Sequence, residues 1–190
     1  MNNVVLIIIS GAPGTGKTTL GKKFAEKFHL PLIHKDGIKE SLFDSLGVGD
    51  REWSRKLGIS SYRLLFHFLE SLLGAGVSLI VESNFKPESS QRFRELEKKY
   101  CFKSLQIYCH SRDDVLLQRY RMRSESADRH LGHLDNIVSY ELEDDLLKGI
   151  YKPLDIEGDI VYVDTTDFSK VDYESLYFKI QGIIENRLEE

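Results

Sequence analysis

The chain has 190 residues, 30 acidic against 26 basic side chains and a net charge of −4. That length suits one domain, residues 1–190, with a full hydrophobic core, and the acidic balance disfavours wrapping of nucleic acid while leaving a local basic patch open. Cys101 and Cys109 cannot build a disulfide framework, no apolar run reaches membrane-span length, and no basic segment precedes the apolar N-terminus, so the expectation is a cytoplasmic protein with no signal peptide.

The predicted elements open with Val4–Ser10, a β-branched run that reads as a strand buried on both faces. Gly11-Ala12-Pro13-Gly14-Thr15-Gly16-Lys17-Thr18-Thr19 follows and fits G-x-x-x-x-G-K-[ST] at every fixed position. Leu20, Phe24 and Phe28 then recur at one-turn spacing, so Lys17–Phe28 reads as a helix. The glycines let backbone N–H groups converge without Cβ interference, and the helix start adds its own N–H groups and positive end. Lys17 can reach β- and γ-phosphates, and Thr18 can ligate Mg²⁺. A plain Gly-rich turn explains the glycines but not Gly16-Lys17-Thr18 in register.

His29–His34 reads as a short second strand, with Pro31 at its start. After Lys35-Asp36-Gly37 comes a helical pattern carrying Ile38, Leu42, Phe43 and Leu46, broken by Gly47–Asp50. Trp53–Leu73 is a long amphipathic helix on Leu57, Leu64, Leu65, Phe68, Leu69 and Leu72, ended by Gly74-Ala75-Gly76. Val77–Glu82 is the third strand, Pro87–Lys99 a polar helix and Phe102–Cys109 the fourth strand. Arg112–Arg123 is helical, Ser124–Leu134 a polar, mobile loop, and Asn136–Gly149 helical again. Asp159–Asp164 is the fifth strand and Val171–Leu188 the closing helix. Strands alternating with helices behind a P-loop predict an α/β fold, a parallel sheet with helices on both faces. Ligands then bind outside the carboxyl ends of the strands.

Several residues at those ends can carry chemistry. Asp36 can orient an attacking hydroxyl and take its proton, or it can cap the helix over Gly37–Leu46. Glu82 ends an apolar strand and can hold a Mg²⁺-bound water or substrate; the alternative is a solvated strand end. Asn84 can hydrogen-bond a substrate, and Phe85 is either core or pocket wall. Arg112, Arg119, Arg121, Arg123 and Arg129 fall in one segment, and Arg112, Arg119 and Arg123 share a helix face. Arginine suits bidentate phosphate contacts and developing transition-state charge. A solvated face paired with Asp113, Asp114, Glu125 and Asp128 is the alternative; for Arg119, Arg123 and Arg129 a lid over the nucleotide is favoured. His130 and His133 lack a supporting metal-ligand set, so a loop role near phosphate or acceptor is favoured over metal. Cys109 reads as a small core residue rather than a nucleophile.

Gly11–Thr19, Asp36, Glu82-Ser83-Asn84-Phe85 and the pattern Arg119-x-x-x-Arg123…Arg129-His130-x-Gly132-His133 together resemble the small P-loop kinases. The resemblance is greatest to the AAA-like ATP-binding group, which is also similar to zeta toxins and chloramphenicol phosphotransferase. Adenylate, shikimate and gluconate kinases are more distant. The resemblance implies a five-stranded sheet in order 2-3-1-4-5, ATP·Mg²⁺ as donor, and a lid at about 120–136 whose arginines touch phosphates. It implies that Asp36 holds the catalytic-acid position and that Thr165-Thr166-Asp167 lies near the adenine. Leu131 departs from the expected proline of the lid, and no motif identifies the acceptor.

The expectation is therefore an ATP-dependent phosphotransferase on a small-molecule hydroxyl, monomeric or homodimeric. A nucleic-acid end kinase shares the donor site and stays open, though disfavoured by charge. A toxin-like kinase of a sugar nucleotide is not separated from the main expectation. A GTPase lacks Asn-Lys-x-Asp, and Asp155-Ile156-Glu157-Gly158 comes too late in the chain to serve as a switch. An AAA motor lacks chain for a helical lid domain, so a regulatory ATPase without an acceptor is the remaining alternative.

Overall fold

A computed structural model describes residues 4–126 and 129–185, with the backbone alone for 135–139. Asp128, and residues 186–188 of the expected closing helix, lie outside the described residues. The elements in chain order are β1 (Val5–Gly11), α1 (Lys17–Phe28), β2 (Leu32–His34), α2 (Lys35–Leu46), α3 (Arg51–Gly74), β3 (Leu79–Glu82), α4 (Ser90–Tyr100), β4 (Lys103–His110), α5 (Asp113–Ser124), α6 (Asp135–Leu147), β5 (Asp159–Asp164) and α7 (Tyr173–Glu185). The five strands form one parallel sheet in the order β2-β3-β1-β4-β5, as the resemblance implies.

β1 is the centre of the sheet because every one of its side chains is apolar or small and every one is buried. Its alternation sorts them by face. Leu6 and Ile8 join Leu79, Val81, Leu65, Leu69, Phe85 and Phe93 on the side of α3 and α4. Val5, Ile7 and Ile9 join Leu20, Phe24, Ile107, Leu176 and Ile180 on the side of α1 and α7. Phe85 is therefore core: it meets Phe93 edge-on with ring centroids 5.0 Å apart.

Four expectations are corrected. The second strand is only Leu32–His34, because His29 takes a left-handed conformation (φ 53°) and closes α1 by donating its N–H to Ala25 O. α2 starts directly at Lys35, so Asp36 does not cap it; His34 does, its Nδ1 accepting from Gly37 N at 3.0 Å. The buried face of α3 runs through Leu57, Ser61, Leu65, Phe66, Leu69 and Leu73, while Phe68 is 44% exposed. The expected loop after α5 contains a short 3-10 turn, Leu131–His133, in which Gly132 and His133 are buried. Gly132 lies against Phe43 so closely that a Cβ there would come within 2.5 Å of the ring.

The Asp155–Gly158 stretch lies away from the P-loop and serves the sheet. Leu154 N donates to Gln106 Oε1 at 2.6 Å, and Ser104 Oγ donates to Glu157 O at 2.5 Å. No helix among the described residues is long and apolar enough to cross a membrane.

Candidate active site

At the carboxyl ends of the strands lies a cavity of about 770 Å³. Its walls come from the P-loop and α1 (Pro13, Gly14, Gly16, Lys17, Thr18, Thr19, Lys22), the β2–α2 junction (His34, Lys35, Asp36, Lys39, Glu40) and Arg51 of α3. The segment after β3 (Glu82, Ser83, Asn84), α5 (Arg119, Tyr120, Arg123) and the following loop (Ser126, Arg129, His133) complete it. Eight of these side chains are basic and three are carboxylates, so an acidic chain presents a cationic cavity. Such a cavity focuses a field that draws in polyanions.

The donor side is built by β1 turning into α1. Gly11, Gly14 and Gly16 all have positive φ, at 135°, 87° and 75°. No side chain caps α1, so its first-turn N–H groups are available to an anion. Gly11, Ala12 and Thr15 do not line the cavity; they hold the loop's shape. Thr15 Oγ1 and Lys17 Nζ both donate to Ala12 O at 2.8 Å. Burial lowers the Lys17 pKa, and the Glu82 carboxylate acts in the opposite direction. Glu82 is buried and accepts from Thr18 Oγ1 at 2.7 Å, which replaces the picture of a solvated strand end. Two hard oxygen ligands side by side next to a phosphate-binding loop fit Mg²⁺, which takes few protein ligands and completes its shell with phosphate oxygens and water. Cys109 lies behind the loop as a core residue, its thiol pushed up to about 12 by burial.

The opposite wall is α2 and the loop docked on it. Asp36, with its side chain 40% exposed, is 3.6 Å from Lys35 Nζ and 3.7 Å from Arg129 Nη1. Burial pulls its pKa up, but Lys35, His133, Arg129 and Lys17 together hold the carboxyl well below the usual range. Arg129 also reaches Glu40 at 3.5 Å, and His133 Nε2 meets Glu40 Oε1 at 2.8 Å. His130 stacks on Phe43 at 5.2 Å and its Nε2 lies 3.2 Å from Asp44 Oδ1. The two imidazoles are thus taken by different carboxylates. Arg129 thus faces two carboxylates of this wall, Asp36 and Glu40.

Burial lowers the His133 pKa below the ordinary 6.5, while Asp36 and Glu40 oppose the shift. The folded state favours the neutral ring, so the unfolded chain takes up the proton first as pH falls. Stability is full above about pH 6.5 and drops as the pH falls towards the lowered folded value. Denaturant titrations at pH 8 and pH 5 check this: wild type is expected to lose more stability between them than His133→Gln.

α5 places Arg119 and Arg123 at the cavity, but not Arg112, which precedes the helix and forks onto Asp114 at the surface at 3.1 Å. Arg119 Nη2 donates to Thr166 O at 3.1 Å, its guanidinium lies 4.9 Å from the Phe168 ring centroid, and its Nη1 is buried without a hydrogen-bond partner among the described residues. Thr166 itself does not line the cavity; its Oγ1 accepts from Arg112 N at 3.1 Å. Phe168 is packed onto Gly16, where a Cβ would come within 1.9 Å of its ring.

Sequence reasoning brought Lys17, Thr18, Asp36, Glu82, Asn84, Arg119, Arg123, Arg129 and His133 to one cavity, and it missed Lys22, Glu40, Arg51 and above all Lys39. Lys39 is 8% exposed; its Nζ donates to Ser54 Oγ at 3.0 Å and lies 5.2 Å from the centroid of the Phe43 ring. Burial, reinforced by Lys35, brings its pKa down to about 8. The available signal was spacing: Lys35, Asp36, Lys39 and Glu40 recur at one-turn intervals on one helix.

The sequence matches the AAA domain family over residues 6–140. It is 38% identical to a candidate kinase from Chloroflexus aurantiacus J-10-fl, with 95% of this chain and 98% of that chain covered and a TM-score of 0.88. The chain belongs to this AAA domain family. It is a small P-loop kinase of the AAA-like group, as the resemblance implies. The kinase also shares its fold with a gluconokinase from Sinorhizobium meliloti 1021 (20% identity, 94% and 97% of the chains covered, TM-score 0.54). A shikimate kinase from Bacteroides thetaiotaomicron aligns with the kinase at 20% identity over 95% and 98% of the chains, with a TM-score of 0.50. A comparison with curated proteins gives no match.

Proposed function

We propose that the kinase moves the γ-phosphoryl group of ATP to a hydroxyl of a small molecule. The observation that carries this reading is that one cavity has Lys17, Thr18 and Glu82 on one wall and Asp36 on another. A nucleotide switch needs only the first wall. The fold shared with a gluconokinase and a shikimate kinase is consistent with a small hydroxyl acceptor.

In this reading the P-loop amides of Gly14 and Gly16 to Thr19 and the Lys17 amine bind the β- and γ-phosphates. Thr18, directly, and Glu82, through water, would hold Mg²⁺, which when bound neutralises charge on the phosphates. Arg119 sits beside Thr166 and Phe168 and covers the nucleoside end, while Arg123 and Arg129 supply positive charge to the transferring group. Asp36 accepts a hydrogen bond from the acceptor hydroxyl and aims it at the phosphorus. A carboxylate held this far down serves chiefly to orient, in keeping with a transition state that asks for little proton removal before bond cleavage. Asn84 and His133 complete the acceptor's surroundings. Chain 1–190 acts as one kinase unit, whose lid at about 120–136 excludes water that would otherwise compete as nucleophile.

ADP release measured over alcohols, sugars, nucleosides, aminoglycosides and short RNA tests the reading, with Lys17→Ala as the blank. Acceptor-dependent ADP release that the blank lacks is expected. ADP release that no hydroxyl compound stimulates argues instead for a regulatory ATPase, and stimulation by the RNA alone argues for an end kinase.

A further inference from the structure

The kinase reading gives Lys39 no role, yet Lys39 is a buried cation on the wall of the same cavity. Resting on the kinase reading above, we infer that the acceptor carries an anionic oxygen group, phosphate or carboxylate, beside its hydroxyl, and that Lys39 binds that group. Around α2 the other charges pair off. Asp36 is shared by Lys35 and Arg129. Glu40 is shared by Arg129 and His133. Arg51 is matched by Glu141, with two hydrogen bonds between the side chains.

Lys39 is left with none of these. Among the described residues it makes no ion pair; its partners are the Ser54 hydroxyl and the face of Phe43. Ser54 Oγ donates its own proton to Gly132 O at 2.8 Å, so it offers Lys39 only a lone pair. An ammonium has three donors, and one is used. A buried cation without a counter-ion is costly, and a ligand anion offsets that cost where a neutral alcohol does not. Burial and then Lys35 lower the Lys39 pKa, and Asp36, beyond ion-pair distance, only partly opposes them, so a ligand anion at Lys39 adds what the protein does not supply.

Asp36 and Lys39 stand three residues apart on α2 and line the same cavity, so one small molecule can meet both. This favours a phosphorylated or carboxylated alcohol over an uncharged sugar.

The test uses full-length protein saturated with Mg²⁺ and a non-hydrolysable ATP analogue, so that the P-loop is blocked. Inorganic phosphate and, separately, acetate are titrated in by calorimetry. Wild type is expected to bind at least one of them saturably, and Lys39→Met to bind it at least tenfold more weakly. The ligand-free Lys39→Met protein is expected to melt no lower than wild type, because a buried unmatched charge has gone. Lys39→Arg, which keeps the charge, is expected to retain binding within a few fold. Phosphate binding without acetate binding marks a phosphate reader, and the reverse a carboxylate reader. If neither anion binds the analogue-loaded wild type, or Lys39→Met binds as well as wild type, the inference fails and the kinase reading stands. If both variants lose binding and Lys39→Met melts below wild type, Lys39 is a packing residue and the inference fails. If the analogue itself does not bind, the kinase reading fails and this inference with it.

Discussion

Asp36→Asn is expected to lower the rate of phosphoryl transfer by about 10²-fold, the order of loss when a reacting group is no longer held in line. ATP affinity is expected to stay within a few fold of wild type, because Asp36 stands on the α2 wall and the phosphate-binding amides belong to the P-loop. The substitution keeps the shape of the side chain and one acceptor oxygen. What it removes is a charge that Lys35 and Arg129 both face at under 4 Å. The native carboxyl is already ionised across the neutral range, since those cations outweigh the effect of burial. The wild-type rate should therefore show no acid limb from this group until well below the ordinary carboxylate range. Steady-state ADP release as a function of pH, alongside direct measurement of ATP binding, checks both statements. Wild-type turnover by Asp36→Asn would remove the orienting role.

Gly11→Ala is expected to destabilise the fold by about 3 kcal/mol or more, combining a strained backbone with overpacking. Gly11 holds φ at 135°, and a Cβ there would lie 2.1 Å from the carbonyl oxygen of Cys109. Neither side can yield. Gly11 and Cys109 are register partners across β1 and β4, at the centre of the parallel sheet. For a chain of this size such a loss lowers Tm by roughly 6–12 °C. Nucleotide binding should fall with it, because the same residue begins the P-loop. Gly182→Ala is the matched control: nothing lies within 4 Å of the added methyl on α7, so it is expected to be neutral or to stabilise by up to about 1 kcal/mol. Thermal unfolding of the two variants measures the contrast.

The donor half of the site was legible because its physics is local. Glycines at fixed intervals, a lysine and a hydroxyl between an apolar strand and an amphipathic helix leave few other structures available. The sheet order followed from the resemblance, and strand alternation in β1 accounts for both cores. The acceptor half was less legible because it depends on contacts distant in sequence. The Ser54–Gly132 hydrogen bond spans 78 residues, and the His133–Glu40 contact spans 93. No motif marks Lys39, and only the packing of α3 and the Gly132 loop around it shows it buried. The segment after α5 reads as a polar loop, but Phe43 gives Gly132 and His130 an aromatic face to dock on. Of the two readings open for Asp36, the cap does not hold: Asp is the commoner cap, but here the strand runs directly into the helix and His34 is the residue at the boundary.

That direct junction has a consequence for how acceptor choice can change. Strand β2 ends at His34 and helix α2 begins at Lys35, so there is no slack between the sheet and Asp36. A longer or shorter connector is not an available adjustment, and the carboxylate stays where the sheet puts it. Retuning the enzyme for a new guest must therefore work from the facing surfaces, around Arg51 and Ser54 and in the stretch Arg129–His133. Chimeras that exchange those two surfaces between relatives should transfer preference, whereas grafts of residues 34–37 should only cripple turnover.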